Sequence, residues 1–229
     1  MKTLARTLQQ FAIGGVLGFL GAMIILGNFA IDLSQYTNEI VIFLFAIIVV
    51  FLIATTISFR QVKKLNAMNF EGEEEDKIDV LKYRKGADQS ILIYSSTIIA
   101  ILTLSIGIIM SMHLAFMIIS IVLMIVSYSC SAYMMHLMRV SYPERHLPKL
   151  SDPDYSEKLL AASDDGERHV MLNGFYKAFH LLPVALFIAI IFSVLYSILT
   201  EHNQLFSIIT MCIVLIVVQG RYFLAIRNK

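Results

Sequence analysis

Charge is what this sequence has least of. Asp, Glu, Lys and Arg make up 15% of its 229 residues, against 58% hydrophobic residues. An ordinary soluble domain carries about 25% charged residues, so that class is excluded. The shortage is also uneven. Residues 11–31, 40–59, 89–138, 178–200 and 202–220 contain no Asp, Glu, Lys or Arg. A spanning helix needs about 20 apolar residues. The run 89–138 is therefore long enough for two spans, joined by a tight turn at Ser111, Met112 and His113.

The absences extend to chemistry. No charged side chain falls in the middle of a run, where proton and ion pathways place them. There is no G-x-S-x-G, no P-loop and no pair of carboxylates within a span. Glu73, Glu74 and Glu75 fall in an expected loop, with no Arg at the spacing an intramembrane protease would need. Asp152-Pro153-Asp154 is better explained as a helix start than as a metal-binding D-x-D. The six histidines show no H-E-x-x-H or other paired ligand spacing. Cys130 and Cys212 sit at depths expected to differ by roughly 15 Å, too far for a disulfide. No catalytic residue, cofactor or metal site is expected, and the chain is not expected to be an enzyme.

What is present is an all-α polytopic membrane protein. Six spans are expected, at about 11–31, 39–59, 91–111, 114–136, 180–200 and 205–226, in three hairpins forming a single membrane domain, 1–229. Residues 1–10 are short and weakly basic, with no small-residue cleavage site after the first run, so that run is expected to be a retained span. Lys2 and Arg6 precede it; seven basic residues lie in 60–90, six in 139–180, and Arg221, Arg227 and Lys229 close the chain. The opposite loops carry Asp32, Glu39, His113, Glu201 and His202 and no Lys or Arg. The positive-inside rule places both termini and the loops 60–90 and 139–180 in the cytoplasm. In the first span, Gly14, Gly18 and Ala22 form a small-residue stripe. It suits close packing against another span of the chain, with contact between copies in a homo-oligomer as the alternative.

The largest piece with water on one side is 151–183. Asp152 and Pro153 are expected to begin a short helix ending near Ala162. Asp164, Asp165 and Glu167 begin a second, with acids at the positive end of its dipole. Met171, Leu172, Phe175, Tyr176 and Phe179 then recur at helical spacing, opposite Arg168, Asn173 and Lys177. This amphipathic helix runs up to the membrane. Pro183 is expected to break or bend it before the fifth span and is the candidate hinge. The apolar face can pack under the bundle, lie on lipid headgroups, or dock a protein. Each long loop is near neutral overall, so direct nucleic-acid binding is not expected.

The six-span plan and the segment DPDYSEKLLAASDDGERHVMLNGFYKAF resemble an uncharacterised family of Gram-positive bacterial membrane proteins with a domain-of-unknown-function label. The resemblance covers nearly the whole chain; its semi-specific motif is Asp164-Asp165-Gly166-Glu167-Arg168 followed by Tyr176-Lys177. It implies a place in the cell membrane and a pairing with a small cytosolic DNA-binding transcription regulator, which similar membrane proteins inhibit as anti-activators. Asp164, Asp165, Glu167, Met171, Leu172, Phe175, Tyr176 and Phe179 are then the expected partner-binding residues. Two other functions fit the topology: immunity or stress resistance against a peptide, and a membrane subunit of a transporter. The outer loops are too short for a standard-size receptor contact, and the lack of buried charge disfavours transport.

Overall fold

The computed structural model describes residues 33–68, 70–145, 147–148, 152–200 and 202–227. The expected first span, with Gly14, Gly18 and Ala22, lies outside them. The described residues form six α-helices and no strand: α1 (Thr37–Asn66), α2 (Glu73–Ile109), α3 (Leu114–Ser141), α4 (Tyr155–Ala162), α5 (Asp165–Thr200) and α6 (Leu205–Arg227). All but α4 are long and apolar enough to cross a membrane. The chain divides into two compact units, one of residues 32–164 and one that includes 165–229.

In the first unit α2 lies against both α1 and α3. The reason is a seam of small and polar residues. Gly86, Gln89, Ile93, Ser96, Ala100, Thr103 and Gly107 are all buried on α2, and they alternate at spacings of three and four. That period keeps one stripe facing its partners along the whole helix. On α1 the buried residues are Val41, Ile48, Thr55, Phe59 and Val62, on the same repeat. Apolar surface gains little by leaving lipid for a protein interface, so close packing and hydrogen bonds must hold such a bundle. Both are present. A Cβ on Gly107 would meet Met117 Cγ on α3 at 3.4 Å. Gln89 Nε2 donates to Ser58 Oγ at 2.8 Å and Asn66 Nδ2 to Ser141 Oγ at 2.7 Å. Phe59, Val62, Ile93 and Leu137 form the apolar core, with Phe59 edge-on to Tyr133 at 5.0 Å.

Two expectations about the segments between the expected spans need correction. Residues 60–90 are not a loop: α1 continues to Asn66 and α2 begins at Glu73. The acids Glu73, Glu74, Glu75 and Asp76 form the first turn of α2, where the helix dipole favours them. Gly72 precedes them at φ 63°, a backbone state that costs glycine nothing. The short helix after α3 starts at Tyr155, not at Pro153. Its N-cap is Asp154, left-handed at φ 62° with no side-chain cap bond; aspartate tolerates that conformation better than most residues. The tight turn at 111–113 is present: Ser111 is left-handed at φ 49°, and His113 Nδ1 accepts the Ala115 N–H at 3.3 Å. Cys130 and Cys212 carry free thiols.

The second unit contains α5 and α6, which touch one another. Phe179 of α5 meets Tyr222 of α6 with ring centroids 4.7 Å apart. The expected break at Pro183 is absent, because α5 runs through it as one helix. Proline removes one backbone bond, but unwinding a turn at the edge of an apolar run would leave more groups unsatisfied, so continuing the helix is cheaper.

Candidate functional site

The N-terminal half of α5 carries the sequence-predicted site. Asp165 opens the helix and pairs with Arg168 at 3.7 Å. The Asp165 carboxylate is fully exposed, so the pair is solvent-screened and contributes little to stability. Asp164, immediately before the helix, is exposed, whereas Glu167 is half-buried. The acids therefore gather at the N-terminal end of the helix, where the helix dipole adds positive potential.

The five apolar residues share an arc of about 140° on that helix, but they do not share an environment. Leu172, Phe175 and Tyr176 are exposed, Phe175 by 73%. Met171 and Phe179 are half-buried. Phe179 is committed to Tyr222, and Tyr176 lies edge-on to His180 at 4.3 Å. The open part of the face is thus Leu172, Phe175 and Tyr176. It lies within about two turns of the apolar run that begins at Ala178, a distance of roughly 10 Å. Pro183 sits one turn past Phe179 inside the same helix.

A second feature was not anticipated. At the Asn66 end of α1, a cleft of about 440 Å3 is lined by Glu75, Asp79 and Lys82 of α2, by Ser141 at the end of α3, and by Tyr142 and Arg145 just after it. Lys82 Nζ lies 3.6 Å from Asp79, and Tyr142 Oη donates to the Asp79 carbonyl at 3.4 Å. The Arg145 guanidinium stands 4.8 Å over the Tyr142 ring. These contacts tie the end of α3 to the first two turns of α2. Separately, Tyr155 Oη of α4 reaches Met135 Sδ of α3 at 3.7 Å. Burial pushes the Tyr155 phenol above its usual range, partly offset by the charge of Arg139. Among the described residues, no three His, Cys, Asp or Glu side chains are grouped to hold a metal ion.

These features define an all-helical protein whose five long helices are apolar enough for a membrane. The chain belongs to the family described as protein of unknown function (DUF3169), whose model matches residues 1–226. No curated protein and no solved structure matches it.

Proposed function

We propose that this chain is a non-enzymatic regulatory protein of the bacterial cell membrane that binds and inhibits a basic cytosolic transcription regulator. In this reading six spans form three hairpins, both termini are cytosolic, and residues 164–179 face the cytoplasm. One observation carries the reading: Leu172, Phe175 and Tyr176 are exposed on a helix that continues into an apolar run, beside an acidic helix start. The acids steer a basic surface toward the helix, and the aromatic side chains supply most of the holding energy. A signal acting on the fifth span reaches this surface through Pro183, the proposed hinge. A preference of a few kcal/mol for one arrangement is enough to shift the population.

The test is co-purification of the DNA-binding regulator that this reading expects to be encoded beside the chain. Wild type captures it; Phe175→Ala/Tyr176→Ala and Asp164→Lys/Asp165→Lys variants that insert normally do not. Undiminished capture by both variants removes this helix as the docking surface. Failure of wild type to capture the regulator discards the sequestration reading.

A further inference from the structure

At the opposite end of the first unit, the turn between α2 and α3 brings three soft donors into four residues: Met110, Met112 and His113. Their side chains line a single cleft of about 390 Å3, together with Gln35, Asn38 and Phe116. The backbone beneath them is tightly determined. Ser111 N–H donates to the Ile108 carbonyl at 3.3 Å and Met112 N–H to the Gly107 carbonyl at 2.9 Å. These are the two bonds of a Schellman motif, with Ser111 holding the left-handed position that glycine usually fills. The chain reverses direction between the two methionines, and both residues line one cleft. Met110 is 42% exposed and His113 is exposed, so an ion has a path from solvent.

We propose that this turn binds a soft monovalent cation, Cu(I) or Ag(I), through the thioethers of Met110 and Met112 and the imidazole of His113. Neutral thioethers select such ions and are poor ligands for Mg2+ or Ca2+. Among the described residues no carboxylate lines the cleft, so these residues offer a hard divalent ion no counter-charge. The imidazole supplies the nitrogen. Its Nδ1 accepts the Ala115 N–H in a long 3.3 Å bond, which places the ring proton on Nε2. Ion binding at Nε2 moves that proton to Nδ1 and gives up the Ala115 bond; the imidazole stays neutral and no proton is released overall. The His-based spacing searched for in sequence misses this site because two of its three donors are sulfur.

The test uses the full chain in detergent micelles, without oxygen, in a Cys130→Ser/Cys212→Ser background, because thiolates would compete for the same ions. Ag(I) is titrated directly, Cu(I) against a chromophoric chelator, and Zn(II) in parallel. The expected result is one saturable Cu(I) or Ag(I) per chain and much weaker Zn(II) binding. Met110→Leu/Met112→Leu, which keeps the apolar volume, lowers affinity at least about tenfold, since even partners outside the ligand set are worth that much. Its helix content and unfolding temperature stay unchanged. His113→Asn keeps a good helix N-cap and also weakens binding. The proposal is overturned if the parent shows no saturable binding, if the leucine variant binds as tightly, or if Zn(II) competes equally.

Discussion

Gln89 is 1% exposed and bonded to Ser58 at 2.8 Å, across the interface of α1 and α2. Replacing it with alanine removes that bond, leaves Ser58 Oγ without its donor, and opens space in the seam. Hydrogen bonds between helices in membranes average about 0.6 kcal/mol and reach about 1.7. With the lost packing, Gln89→Ala should cost about 2 kcal/mol, less a few tenths returned by the better helix propensity of alanine. The informative quantity is the coupling in a double-mutant cycle with Ser58→Ala, measured by reversible unfolding in mixed micelles. It should fall between about 0.6 and 1.7 kcal/mol. Thr103 and Ser120 provide an internal control. Their hydroxyls lie 3.0 Å apart, yet each already donates to a carbonyl of its own helix, Ala100 and Phe116. Each hydroxyl has one proton, so a bond between them competes with one to a backbone carbonyl, and their coupling should be weaker. Additivity at Gln89 and Ser58 to within about 0.3 kcal/mol, or stronger coupling at Thr103 and Ser120, would refute the reasoning.

Three further outcomes are expected. Ser111→Gly relieves the left-handed backbone and should stabilise the first unit by about 1 kcal/mol; destabilisation in the same unfolding assay would contradict the geometry. Gly107→Leu, at a position where even a Cβ touches Met117, should cost about 2 kcal/mol by forcing α2 from α3; Gly86→Ala meets only the Met138 thioether end and should be near neutral. The pH dependence follows from Tyr155, whose phenol is raised by burial and partly lowered again by Arg139. Its contribution to stability is complete below the unfolded value of about 10 and is lost as pH rises through the higher folded value. Tyr155→Phe should flatten the alkaline limb of a stability-versus-pH curve, and an unchanged slope would contradict the assignment.

The apolar runs located the long helices because hydrocarbon leaves a helix no rival. They did not locate the helix ends. The run 40–59 became Thr37–Asn66, since nothing in Arg60–Asn66 opposes helix once the span has nucleated it. The acids at 73–76 suggested a solvated loop, although the same charges stabilise a helix start. The α2 seam was legible in principle: Gln89, Ser96, Thr103 and the glycines at 86 and 107 keep a three-four spacing. Hydropathy averages it away, because a small or polar residue in a span lowers the mean whichever face it occupies. The charged cleft was not legible at all. It joins Asp79 to Tyr142, 63 residues apart, with no local pattern in either segment. On α5 the helix itself was legible, but its spacing could not tell that Phe179 turns to Tyr222 while Phe175 stays open.

The central claim is that Leu172, Phe175 and Tyr176 stand in the cytosol ready for a protein partner. Labelling of single-cysteine variants at Leu172 and Phe175, in a chain lacking Cys130 and Cys212, tests it most directly. Inverted membrane vesicles would be treated with a membrane-impermeant maleimide, with and without the cytosolic DNA-binding regulator proposed as the partner. The account predicts rapid labelling of both positions in vesicles alone and strong protection when the regulator is added. Labelling that is absent in vesicles alone would place the face in lipid or in the bundle, and labelling that the regulator leaves unchanged would place its contact elsewhere; either result contradicts the account.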